Sequence, residues 1–317
     1  MSGYNGIWAT DNKIIYSDKA INVRMFREGN INPYLILPPQ AGHHSCIADY
    51  QNNKSLVQKL LQEDDCGVYC IEWKPCTFER RNEGINDLIL QTQAAFKSIS
   101  SEQVQIIGLC QGGWVSAIFT SLFQESVSKL ILAAAPIDFT VDGGKIQRLC
   151  QLLPMQFYRN LIIFGGGLLR GKYMLWGFKN LNWYDRYIGD YVKFYLNQDD
   201  PKFMARYKYF KEWYEHTQDL AGGWYLEAVE KLFKHNDLIK EKLIVLDRKV
   251  LLSNITCPVA LLAAENDDIT LIRQLFNMTH FVSSKRILFK TIKKCGHIGA
   301  FIKNSALNNE WVQAIKF

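Results

Sequence analysis

The sequence has no run of like charge and no low-complexity tract or internal repeat. Nor is any apolar stretch long enough to cross a bilayer. Lysine and arginine number 37 against 31 acidic residues, so the formal charge is only +6 over 317 residues. That surplus is small and dispersed, and no Lys/Arg cluster is long enough to track phosphates, so no nucleic-acid partner is expected. The nearest approach to a membrane span, Leu161–Trp176, is broken by Arg170 and Lys172 and falls short of about 20 apolar residues. The first twenty residues lack an apolar signal core, so the expected location is the cytoplasm. Eight cysteines then read as free thiols rather than as a disulfide framework.

What is present describes a folding chain. Apolar residues make up 48% and charged residues 21%, which excludes a disordered polymer. A chain this long buries roughly 75% of its unfolded surface and needs no metal or disulfide to fold. The first thirty or so residues look irregular. Strands are then expected at Tyr34–Leu37, Val68–Trp73, Val104–Ile107 and Lys129–Ala134, alternating with helical patterns at Ser55–Leu61, Ile85–Ile99 and Trp114–Phe123. This alternation predicts an α/β fold with a mostly parallel, doubly wound sheet.

The rhythm breaks after Pro136. Residues 140 to 240 are helix-like and rich in aromatics, among them Trp176, Trp183, Tyr187, Trp213, Tyr214 and Trp224. Strands resume at Pro258–Ala263 and Arg286–Thr291. The expected organisation is a core of residues 1–139 and 241–317, split by a helical cap or lid at 140–240. An insertion of about 100 residues is too long for a simple loop.

The sharpest local signal is Gly108-Leu109-Cys110-Gln111-Gly112-Gly113 between a strand and a helix. A nucleophile on a tight strand-to-helix turn needs small neighbours, which Gly108, Gly112 and Gly113 supply. The helix N-terminus favours a thiolate and a developing oxyanion at Cys110. A base and an orienting acid should follow in the order acid, then histidine. His297, in Cys295-Gly296-His297-Ile298-Gly299 after the last strand, is the expected base. His280 lies in a helix-like stretch and reads as structural. Glu265-Asn266-Asp267-Asp268 follows the penultimate strand; Asp267 is favoured as the acid, with Asp268 left open and helix capping as the competing role. The oxyanion hole should use the amide of Gln111 and one from the loop after the first long strand, either Gln40 or Ala41, since Pro38 and Pro39 have no N–H. His43, His44 and the nearby cysteines match no zinc spacing, so no metal is expected. Gly165-Gly166-Gly167 lacks the Lys-Ser/Thr of a phosphate loop, so no nucleotide cofactor is expected.

These residues resemble a known family. Gly108–Gly113, Trp224-Tyr225-Leu226, Asn236-Asp237-Leu238 and Asn254–Pro258 are similar to segments of poly(3-hydroxyalkanoate) synthases and of the related intracellular poly(3-hydroxybutyrate) depolymerases. Gly42-His43-His44 and Gly296–Phe301 look like the depolymerases; Cys110-Gln111-Gly112-Gly113 looks like the synthases. The resemblance implies an α/β-hydrolase fold and a Cys–Asp–His triad at Cys110, Asp267 and His297. It implies a 3-hydroxyacyl-CoA or a poly(3-hydroxyalkanoate) as substrate, with a polymer granule surface, a second copy or a partner subunit as candidate associates. The reading taken is depolymerase-type hydrolysis of 3-hydroxyacyl (thio)esters. The alternative is polymerisation from 3-hydroxyacyl-CoA, and a rival from another class is a non-catalytic granule scaffold.

Overall fold

The computed structural model describes residues 6–181 and 190–317. Eight strands form the central sheet: β1 (Lys13–Ser17), β2 (Ile21–Arg27), β3 (Tyr34–Leu37), β4 (Val68–Trp73), β5 (Val104–Leu109), β6 (Val127–Ala133), β7 (Val259–Ala264) and β8 (Ile287–Ile292). Their spatial order is β1-β2-β4-β3-β5-β6-β7-β8. The six strands from β4 to β8 in that order run parallel, and β1 and β2 add antiparallel at one edge. The expected doubly wound sheet is thus present. The expectation of an irregular first thirty residues is corrected: β1 and β2 occupy that stretch.

The strands are apolar on both faces because both faces are covered. Along β3, Leu35 and Leu37 enter one core while Tyr34 and Ile36 enter the other. The first core takes Ile85, Leu88 and Ile89 from α2 (Ile85–Lys97) and Trp114 and Ile118 from α3 (Gln111–Leu122). The second takes Leu56 and Leu60 from α1 (Leu56–Glu63) and Trp311 and Ile315 near the C-terminus. Ser55 starts α1 properly, its hydroxyl accepting the Gln58 N–H at 2.9 Å.

Between β6 and β7 no described residue joins the central sheet. Helices α4 (Lys145–Leu152), α5 (Met155–Phe164), α6 (Gly171–Leu181), α7 (Asp190–Asn197) and α8 (Pro201–Glu215) lie in the first part of that interval. Trp183 and Tyr187, two of the aromatics of this segment, lie outside the described residues. The two ends of the interval are tied together. Asn236 donates to Asp138 Oδ1 at 2.8 Å and accepts the Phe139 N–H at 3.1 Å; Asn277 donates to Asp138 Oδ2. The Asn236-Asp237-Leu238 motif is therefore structural, because its asparagine closes the neck of the helical segment.

Candidate active site

Parallel register brings the carboxyl ends of β5, β6, β7 and β8 to one sheet edge. Leu109 pairs with Ala133, Ala133 with Leu262, and Ala264 with Ile292. Whatever follows Leu109, Ala264 and Ile292 must emerge there. Those followers are Cys110, the Glu265–Asp268 turn and the Cys295–Gly299 loop.

Cys110 stands between β5 and α3 with φ 51° and ψ −119°. A side chain in that region of backbone space is strained by about 1–3 kcal/mol and persists only where its surroundings enforce it. The enforcement is visible: the Cys110 N–H donates to Ala133 O at 2.9 Å, and the Gly113 N–H to Cys110 O at 2.9 Å. The turn also demands bare glycines. A Cβ on Gly112 would run into the Leu37 carbonyl, and one on Gly108 would come 2.5 Å from Gly113 Cα. Cys110 is partly exposed.

His297 faces Cys110 from the loop after β8. Its Nδ1 lies 2.8 Å from Asp267 Oδ2 and 3.0 Å from Oδ1, and the Cys110 sulfur, on the same cavity, is near enough to act on the ring. With Nδ1 on the carboxylate, Nε2 is the nitrogen left for the sulfur. Burial works against a charged ring here, but the Asp267 carboxylate and the Cys110 sulfur outweigh it and hold the imidazolium well above the ordinary histidine range. The Asp267 side chain is fully buried. Its Oδ1 also accepts the N–H groups of Ile269 and Thr270, both at 2.9 Å. The two roles weighed for the adjacent aspartates, turn capping and contact with His297, thus fall on one residue. Asp268 lines the cavity instead.

The loop after β3 approaches from the other side. The Gln40 N–H donates to Gln111 Oε1 at 2.6 Å, which engages one of the two alternatives for the loop's oxyanion-hole donor. Ala41 lines the cavity beside Cys110, and Gln40 does not. Gln111 opens α3, where backbone N–H groups point out of the helix end.

A cavity of about 310 Å³ lies over these groups. Its far wall is aromatic: Phe178 from α6 and Phe210, Trp213 and Tyr214 from α8. His43 stacks on Trp213 and Tyr214, with ring centroids 4.9 and 5.0 Å away, and its Nε2 lies 3.0 Å from Tyr214 O. Burial pushes the His43 pKa down to about 4, so the ring is neutral and serves as wall. His44 is turned elsewhere, 3.1 Å from Glu72, which also pairs with Arg24 at 2.9 Å. Among the described residues no group of three metal-ligating side chains converges. His280 sits in a short helical turn after residue 276, away from the cavity lining. The wall residues Phe178, Phe210, Trp213 and Tyr214 were not singled out as site residues from the sequence. Their only advance signal was the aromatic density of the inserted segment.

Solved structures share this architecture. An epoxide hydrolase of Bacillus megaterium superposes with a TM-score of 0.59, covering 97% of this chain and 100% of its own at 16% identity, which establishes the α/β-hydrolase fold alone. Among curated proteins, the poly(3-hydroxyalkanoate) polymerase subunit PhaC of Haloarcula marismortui is 25% identical over 280 residues, covering 86% of this chain. The subunit of the same name from Haloferax mediterranei is 22% identical over 267 residues, covering 81% of this chain. The chain spans little more than half the length of these two relatives, 57% and 54% respectively. The resemblance read from the Gly108–Gly113 box therefore extends along most of the chain. Residues 19–316 match the family model described as "Protein of unknown function (DUF3141)", and the chain belongs to that family.

Proposed function

We propose that this protein is an acyl-transfer enzyme that forms a thioester on Cys110 from 3-hydroxyacyl (thio)esters. The observation that carries the reading is the Cys110–His297–Asp267 array under an aromatic cavity. Cys110 Sγ, its proton on His297 Nε2, attacks the acyl carbonyl. The tetrahedral oxyanion accepts hydrogen bonds from the amides of Gln111 and Ala41. The intermediate collapses, the carbon–sulfur or carbon–oxygen bond to the leaving group breaks, and His297 returns the proton to that group. Asp267 fixes the ring with Nδ1–H toward itself and stabilises the imidazolium. In the second half, His297 takes a proton from the acceptor, which attacks the Cys110 thioester and frees the thiol.

The acceptor sets the reaction class. The names of the curated relatives support a hydroxyl of a growing polyester, which is polymerase chemistry. Hydrolysis, the reading favoured from the sequence, keeps one specific support: the Asp268 carboxylate on the cavity wall would hold water near His297. The helical segment 140–240 acts in this account as a cap on a core formed by 1–139 and 241–317. Phe178, Phe210, Trp213 and Tyr214 would exclude bulk water and shelter the thioester. The test supplies 3-hydroxybutyryl-CoA with and without a hydroxyl-terminated 3-hydroxybutyrate oligomer and follows thiol, oligomer length and free acid. Thiol release with oligomer growth is expected. Free 3-hydroxybutyrate in equal amount turns the reading to hydrolysis. Release of neither, from folded protein, overturns it.

A further inference from the structure

The α4–α5 pair and the start of α6 carry an unusual combination. From Lys145 to Leu181 there are six basic residues, Lys145, Arg148, Arg159, Arg170, Lys172 and Lys179, and no acidic one. Elsewhere the two signs are nearly balanced. The same segment exposes large apolar side chains: Leu152 at 80%, Phe164 at 77%, Ile163 at 67% and Trp176 at 62%. These helices are not merely turned inside out, because their opposite face is also packed. Cys150 and Tyr158 pack with Val229 in a buried cluster, and Ile162 reaches the main core. Apolar residues on both sides of a helix pair call for a second covering surface.

We infer that this outer face docks on an anionic lipid surface. Among the described residues no helix is long and apolar enough to cross a membrane, so the face would lie in the interface with its apolar side chains among the acyl chains. Charge selects the occupant. Arg170 and Lys179 are committed, to Asp219 at 2.7 Å and to Glu215 at 2.6 Å. Arg148, Arg159 and Lys172 are exposed in the same segment as those apolar residues, Lys172 over the Tyr173 ring. A second copy docked about a two-fold axis would set this acid-free segment against itself, like charge on like. A neutral polyester surface would cover the apolar residues and leave the basic ones without counter-charge. Anionic headgroups over acyl chains meet both. One consequence rests on the proposed function: α6 carries Trp176 outward and Phe178 into the cavity, so docking would hold the cavity roof at the interface where apolar acyl chains collect.

The test is flotation of the full chain with phosphatidylcholine vesicles and with phosphatidylcholine–phosphatidylglycerol vesicles. Binding should require phosphatidylglycerol and weaken as salt rises. Each basic residue near such a surface is worth about fivefold in partitioning, so Arg148→Gln/Arg159→Gln should bind about 25-fold more weakly. Leu152→Ser/Phe164→Ser should lose binding as well, with the circular dichroism of both variants unchanged. Equal binding to the two vesicle types, or binding that neither variant alters, would overturn the inference. So would absence of vesicle binding, with or without a self-associated form that Phe164→Ser disperses; the latter would mark the face as a contact between copies.

Discussion

Asp267→Asn isolates the part of the site that the geometry defines best. Asp267 Oδ1 accepts two backbone N–H groups, from Ile269 and Thr270, each at 2.9 Å. In asparagine the carbonyl oxygen must keep that place, because an NH₂ there would face two donors. The amide nitrogen then takes the position of Oδ2, 2.8 Å from His297 Nδ1. It donates to Nδ1, which forces the ring proton onto Nε2. That nitrogen can no longer accept a proton from Cys110. The same exchange in a serine-protease triad lowers turnover by about 10⁴, which is about 5.5 kcal/mol of transition-state stabilisation. Folding should suffer far less, since both turn bonds survive; one charge-assisted bond is lost, at a cost of about 1–3 kcal/mol. The assay is single-turnover thiol release from a 3-hydroxybutyryl thioester, alongside thermal melting. Asp268→Asn, the neighbour without that contact, should stay within about tenfold of wild type. A folded Asp267→Asn within tenfold of wild type, or a larger loss in Asp268→Asn, would refute the argument.

Three further outcomes follow from the same contacts. Gly112→Ala drives a methyl into the Leu37 carbonyl, so it should lose more than about 4 kcal/mol or fail to fold, read as soluble yield and melting temperature; a melting point near wild type would mean the turn is looser than described. The His43 pKa is lowered by burial to about 4, so the folded state resists protonation and stability should fall as pH drops from about 6.5 toward 4. Urea midpoints should show about 3 kcal/mol of this loss in wild type and none of it in a folded His43→Phe variant. The His297 pKa is raised, so its contribution is complete below the unfolded value near 6.5 and is lost as pH climbs through the folded value. Above pH 6.5, wild-type stability should therefore decline more steeply than that of His297→Gln, by at most about 1.4 kcal/mol per pH unit; parallel curves would count against a charged ring.

Much of this architecture was legible because the central strands are buried on both faces. Tyr34–Leu37 is an unbroken apolar run and Val68–Trp73 is interrupted only by Glu72, and such runs announce themselves. The edge pair was missed for the opposite reason. In β2 only Ile21, Val23 and Met25 are buried, while Asn22 and Arg24 alternate onto the other face, where both bond Glu72. That period-two alternation was available as a signal but is short and half polar. At the site, Cys110 was visible through its glycines and His297 through its place after the last strand. The choice between Asp267 and Asp268 depends on how far the turn after Ala264 rotates before it reaches His297. Adjacent carboxylates carry no local mark of that rotation. The cavity wall was least legible of all. His43 meets Trp213 and Tyr214 across about 170 residues, and nothing in the local pattern of either segment names the other.

The central claim is covalent, so intact-mass analysis tests it most directly. Wild-type protein is mixed with a 3-hydroxybutyryl thioester, quenched in acid and weighed, then digested to locate any adduct. The account predicts a single 3-hydroxybutyryl group on the peptide containing Cys110, absent from a folded Cys110→Ala variant. An adduct that persists in Cys110→Ala, or turnover by wild type with no adduct trapped at any quench time, would contradict it.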